Sequence, residues 1–215
     1  MANDRVTFFH SPRTRSTGTL ILLEELGADY DLHLVNMKAG DQRKAEYMAV
    51  NPMGKVPAIR YGDALVTEQP AVFIYLADRF AKAGLAPALD DADRGPYLRW
   101  MVFYGSSFEP AIVDRALKRE QGPLAMSPYG TCDIVLDTLS DQLKRGPYML
   151  GERFSALDIL WGTALGWTTM FKVVPERPEY MAYIKRVMSR PSVAKANAYD
   201  AEWAAEHEKA AAAAG

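Results

Sequence analysis

Six consecutive residues, Ser11-Pro12-Arg13-Thr14-Arg15-Ser16, bring together three hydroxyl groups and two guanidinium groups. They lie between a β-prone run, Val6–His10, and a segment whose leucines recur at helical spacing, Leu20, Leu23 and Leu26. Hydroxyl donors beside Arg15 and the positive end of a helix suit stabilisation of an anion. Ser11, Thr14 and Ser16 compete for that role, and Ser11-Pro12 and Ser16 also serve as plain turn and N-cap residues. Two further places concentrate useful groups. Asn51-Pro52-Met53-Gly54-Lys55-Val56-Pro57 couples a lysine to a constrained backbone, and Glu68-Gln69 sets a carboxylate and an amide just before Pro70. Cys132 is the single cysteine, more often a small buried apolar residue than a nucleophile, and His10, His33 and His207 are too scattered to suggest a metal site.

The elements that must position these groups follow from periodicity. Val6–His10 is expected as a strand, Thr17–Leu26 as a helix ended by Gly27, and Tyr30–Val35 as a half-buried alternating strand. Gly40–Val50 reads as a short polar helix stopped by Asn51-Pro52. Val56–Arg60 and Ala64–Thr67 flank Tyr61-Gly62-Asp63 as a hairpin, and Pro70 opens a helix that continues through Ala71–Phe80. Beyond the linker-like Ala81–Asp93 the strand signal stops. Asp93–Lys118, Pro128–Arg145, Ser155–Phe171 and Pro178–Ser189 are expected as helices, and Ala201–Gly215 as an alanine-rich helix fraying into disorder.

The 215 residues suffice for one large or two modest domains. With 49% hydrophobic and 24% charged residues the composition is that of a globular protein, and no apolar run approaches the ~20 residues of a membrane-spanning helix. A net charge of −2 carries no basic excess to neutralise a phosphate backbone, which argues against nucleic acid as a partner. One cysteine cannot form an internal disulfide, and the first residues show no secretion signal, so a cytoplasmic location is expected.

Four patterns, in order along nearly the whole chain, resemble the cytosolic glutathione S-transferases. They are Phe8–Ser16 leading to Leu22-Leu23-Glu24-Glu25-Leu26-Gly27; Asn51–Ala58, the most specific; Thr67-Glu68-Gln69-Pro70-Ala71-Val72-Phe73-Ile74-Tyr75-Leu76; and Phe154-Ser155-Ala156-Leu157-Asp158-Ile159-Leu160, in which Ser155 and Asp158 fit a capping box. The resemblance implies an α/β plus all-α fold. A thioredoxin-like βαβ-ββα domain over residues 1–82 would bind glutathione, a linker would span 83–92, and an all-helical domain would occupy 93–215. It implies a detoxifying transferase, usually a homodimer, that joins the glutathione thiolate to a small hydrophobic electrophile. A glutathione-dependent disulfide or peroxide reductase, an isomerase, or a non-catalytic binding protein would share the first half.

Residue by residue, the resemblance makes Ser11 the thiolate donor of the serine-type classes, with Arg15 adding positive potential. Arg15 stands where cysteine-type bacterial classes carry their cysteine, so the reactive sulfur would come from the ligand. Val56-Pro57, cis in the family, would pair with the cysteinyl backbone, and Glu68 would bind the γ-glutamyl amino group. Gln69 departs from the serine common at its position; its backbone N–H, or its longer amide, would hold the γ-glutamyl carboxylate. Lys55 and Gln42 would lie near the glycyl carboxylate. Tyr104 with Phe108 and Trp167 with Phe171, each pair four residues apart on one helix face, are candidates for the electrophile pocket, although such spacing more often marks a core.

Overall fold

The computed structural model describes residues 5–120 and 122–213, which divide into two compact units. The first comprises the chain up to Ala83 together with the segment beginning at Arg190; the second is Gly84–Ser189. The last helix therefore packs in the first unit, whereas the division implied by the resemblance, with one helical domain over 93–215, groups it with the second.

In the first unit β1 (Val6–His10), β2 (Tyr30–Leu34), β3 (Ala58–Tyr61) and β4 (Ala64–Thr67) form a sheet of order β2-β1-β3-β4. β1 runs parallel to β2 and antiparallel to β3, and β3 and β4 make a hairpin. A parallel neighbour requires a crossover, supplied by α1 (Ser16–Leu26). Alternation along β1 sends Phe9 to one face, where it clusters with Val35, Tyr47 and Ala58, and His10 to the other, where it meets α1. β3 starts at Ala58 rather than Val56, because Pro57 has no N–H to give a ladder.

In α1 the consecutive residues Leu20, Ile21, Leu22 and Leu23 are all buried. Steps of about 100° distribute four such residues around the helix, so α1 is enclosed on all sides instead of being amphipathic. Among the elements packed on it are α3 (Gln69–Arg79) and α9 (Pro191–Ala213). At its end Gly27 takes φ +60°, and the amide of Ala28 closes on the Leu23 carbonyl, a left-handed cap that glycine adopts without a Cβ penalty. α9 presents Val193, Ala196, Asp200 and Ala204 as its buried stripe. The alanine-rich helix expected over Ala201–Gly215 is the end of α9, which continues through Ala213; residues 214–215, where fraying was expected, lie outside the described residues. Glu25 of α1 grips its beginning with both oxygens on Arg190, at 2.6 and 2.7 Å, and a further bond from Ser192. The polar helix expected over 40–50 is two pieces, a 3-10 turn at Asp41–Arg43 and α2 (Ala45–Met48).

The second unit contains α4 (Arg94–Phe103), α5 (Glu109–Ala116), α6 (Cys132–Leu143), α7 (Ala156–Met170) and α8 (Pro178–Met188). The single helix expected over 93–118 is interrupted by a π turn at Tyr104–Phe108, which rotates Tyr104 and Phe108 together onto Trp161 of α7. α7 and α8 approach closely at Gly162, where a Cβ would fall 2.6 Å from Val187 Cγ1. Asp158, one turn into α7, is sealed from solvent and accepts from the amides of Met149 and Ser155 and the hydroxyls of Ser155 and Tyr183. Burial nevertheless outweighs these four donors, and its carboxyl is pushed up to about 6.

Candidate functional site

The loop joining β1 to α1 is built on its own hydroxyls. Thr14 Oγ1 donates to the Ser11 carbonyl at 2.7 Å and stands 2.7 Å from Ser16 Oγ. Ser16 Oγ accepts from the Ser11 amide at 3.2 Å and lies 2.8 Å from His10 Nδ1. Thr14 and Ser16 are thus both committed within the loop. The Ser11 hydroxyl makes no hydrogen bond with a described residue, and Ser11 is 3% exposed. Arg15 occupies the N-cap position of α1 in helical geometry, and the residue is exposed.

A second segment is fixed from below. The Lys55 carbonyl accepts from the Tyr47 hydroxyl at 2.6 Å and from Asn51 Nδ2 at 2.9 Å. Val56–Pro57 follows as a cis peptide, in agreement with the expectation from the resemblance. Neither the N–H nor the C=O of Val56 has a hydrogen-bond partner among the described residues, which leaves a donor and an acceptor for an extended ligand backbone. Gly54, at φ +61°, would place a Cβ 2.8 Å from the Gln42 carbonyl, so the absence of a side chain brings the Asn51–Lys55 loop onto the Asp41–Arg43 turn. Gln42 and Lys55 consequently belong to adjoining segments. The Gln42 Oε1 is buried without a hydrogen-bond partner among the described residues, and Lys55 is exposed.

At the third segment Glu68 adopts φ 66° and ψ 115°, an uncommon conformation for a residue with a side chain, and its carboxylate is exposed at the start of α3. Gln69 does not extend outward as its length suggested. It is 7% exposed, and Nε2 donates to the Arg15 carbonyl at 3.0 Å, tying the first turn of α3 to that of α1. Its amide is therefore engaged with the protein, and the anion-binding capacity of the α3 terminus rests on the backbone N–H groups of Gln69 and Ala71, Pro70 having none.

The four aromatic candidates do not form one surface. Tyr104 and Phe108 are buried against Trp161, and the Tyr104 hydroxyl donates to Glu109, so the first pair is core. Trp167 is half-buried, while Phe171 is 67% exposed at the end of α7. The four-residue spacing indicated a shared face correctly but not what that face meets. Cys132 is half-buried at the start of α6, and burial pushes its thiol up, away from the reactive thiolate form.

Sequence reasoning overlooked His10 and Asp200. His10 Nε2 lies 2.9 Å from Asp200 Oδ1, at ion-pair distance but without hydrogen-bond alignment, and both residues are buried. The available signal was an acid interrupting the apolar stripe of Val193, Ala196 and Ala204.

Comparison with known proteins places this geometry in context. The chain matches the glutathione S-transferase N-terminal domain over residues 14–79 and the glutathione S-transferase C-terminal domain over 129–191. It is 29% identical over 190 residues to the glutathione S-transferase GstA of Escherichia coli O157:H7, covering 86% of this chain and 94% of that protein. A sphingomonad glutathione S-transferase solved in complex with glutathione is 30% identical with a TM-score of 0.74, over 91% of this chain and 98% of its own. A glutathione transferase from Methylococcus capsulatus strain Bath is 28% identical with a TM-score of 0.77, again over 91% and 98%. Two domain matches in order, a relative 30% identical over most of both chains, and the sheet and helical units described above show that this chain belongs to the glutathione S-transferase family.

Proposed function

We propose that the first unit binds glutathione and that Ser11 holds its sulfur as the thiolate for attack on a small hydrophobic electrophile. Val56 pairs with the cysteinyl backbone, Glu68 with the γ-glutamyl amino group, the N-terminal amides of α3 with the γ-glutamyl carboxylate, and Gln42 and Lys55 with the glycyl carboxylate. The observation that carries the Ser11 assignment is the fate of the competing hydroxyls. Those of Thr14 and Ser16 are spent within the loop, whereas that of Ser11 has no partner among the described residues.

A thiol with a pKa near 8.5 is only a few per cent ionised at pH 7, and each unit of lowering corresponds to about 1.4 kcal/mol favouring the thiolate. The Ser11 O–H, the charge of Arg15 and the α1 terminus all act in that direction. With an aryl halide, the thiolate forms the new C–S bond, the halide departs with the bonding pair, and the thiol proton has already passed to solvent. The proposed assembly is a cytoplasmic homodimer.

The test is a spectroscopic titration of bound glutathione. Ser11→Ala is expected to raise the thiol pKa by about one unit and slow aryl-halide conjugation about tenfold, with Thr14→Ala and Ser16→Ala measured alongside. An unchanged titration in Ser11→Ala transfers the role to another loop residue. A protein that does not retain glutathione at millimolar concentration refutes the reading altogether.

A further inference from the structure

One carboxylate in the first unit meets three successive parts of the loop that carries Ser11. Asp200 of α9 accepts the Arg13 amide on Oδ2 at 2.7 Å and the Thr17 hydroxyl on Oδ1 at 3.1 Å, and the same Oδ1 lies 2.9 Å from His10 Nε2. His10 ends β1, Arg13 lies mid-loop and Thr17 is in the first turn of α1. Asp200 is thus attached before, within and after the segment that sets the direction of the Ser11 hydroxyl. Arg13 sits at φ +57°, a left-handed conformation that is unfavourable for a residue with a side chain. The bond from its amide to Asp200 secures that conformation.

The other side of the His10 ring completes the connection. Nδ1 lies 2.8 Å from Ser16 Oγ, which accepts the Ser11 amide, and the edge of Trp203 closes over the ring. Ser16 Oγ also lies 3.1 Å from the Ser11 carbonyl and 2.7 Å from Thr14 Oγ1, so His10, Ser16 and Thr14 form one connected set of polar groups around the Ser11 backbone, with Asp200 Oδ1 2.9 Å from the far ring nitrogen. Of the other charged groups in or near the loop, Arg13 and Lys38 pair with the exposed Glu208, and Arg15 stands exposed at the start of α1.

We propose that Asp200 is a positioning residue for the thiolate site, holding the Ser11–Ser16 loop and, through His10, the direction of its hydroxyl hydrogens. The proposal rests on the assignment of Ser11 as thiolate donor. It differs from a purely structural role in predicting an effect on the sulfur that exceeds the effect on glutathione affinity.

The test compares full-length wild type with Asp200→Asn, which keeps an acceptor for Arg13 but removes the charge facing His10. Thiolate absorbance of bound glutathione against pH, glutathione Kd and kcat with an aryl halide are measured together. The expected result is a thiol pKa about one unit higher and kcat about tenfold lower, with Kd changed less than about threefold. A folded variant with wild-type thiol titration and kcat overturns the proposal. Should Asp200→Asn fail to fold, Thr17→Val removes one contact of the same carboxylate and is expected to shift the titration in the same direction; no shift counts against the proposal. Failure of the Ser11 assignment is recognised separately, by an unchanged titration in Ser11→Ala while Asp200→Asn still shifts the thiol pKa.

Discussion

Gln69 Nε2 donates to the Arg15 carbonyl across 3.0 Å, so the first turns of α3 and α1 are joined by a side chain that the family resemblance had directed toward the ligand. Replacing Gln69 by Ala removes its hydrogen bond to the Arg15 carbonyl and is expected to cost about 1 kcal/mol of stability or more, read as a lower urea midpoint. Glutathione Kd should rise less than about tenfold, because the backbone amide at the α3 terminus is retained. A larger loss of affinity would mean that the side chain binds the ligand carboxylate itself.

Glu25 couples α1 to the start of α9. Burial pushes its carboxyl up, but hydrogen bonds from Arg190 and Ser192 and the Arg190 charge outweigh this and hold it below the ordinary carboxylate range. A folded-state pKa below the unfolded value stabilises the protein above the unfolded pKa of about 4.5 and loses that contribution as pH falls through the folded value. Glu25→Gln should lower stability by about 2 kcal/mol at pH 7 and by progressively less toward pH 3. Denaturation midpoints across that range measure it; a pH-independent difference would contradict the assignment.

Asp158 carries the opposite sign. Its carboxyl is pushed up to about 6 by burial, against four hydrogen-bond donors. Between the ordinary value of 3.8 and about 6 the folded protein holds the proton more tightly than the unfolded chain, so this group's contribution to stability declines as pH rises through that interval. Asp158→Asn turns an NH₂ toward groups that already donate, and is expected to cost on the order of 3 kcal/mol at pH 7. Urea unfolding followed by tryptophan fluorescence checks this.

Gly162 permits α7 and α8 to meet. An added Cβ would lie 2.6 Å from Val187 Cγ1 and 2.7 Å from Val187 Cβ, and the second atom cannot move without the backbone. Gly162→Ala gains about 1 kcal/mol in helix propensity but loses roughly 1–3 kcal/mol to overpacking. The expected net result is a lower thermal midpoint, and Gly162→Ala with Val187→Ala should recover part of it.

Much of the first unit was legible from local patterning. β1 and β4 have the expected bounds because alternation and β-branched residues act over a few positions, and α1 was visible in its leucines and its terminal Gly27. The helix expected over 93–118 was read as continuous because its periodicity persists across the π turn, whose presence depends on packing against Trp161. Residue types marked Ser11–Ser16 as a candidate anion-stabilising loop, but its donors could not be ranked from composition. That ranking needed the bonds from Thr14 and Ser16 back into the loop.

The sequence by itself determined which hydroxyl and guanidinium groups are present in the Ser11–Ser16 loop, and short-range periodicity arranged them between a strand and a helix. Only the tertiary structure decided which hydroxyl remains uncommitted and which carboxylate stands behind it. Arg13 and Asp200 are 187 positions apart, and the stripe that buries α9 specifies that it must pack without specifying on what. The partner is selected by complementarity of two enclosed surfaces, a property of the folded chain as a whole.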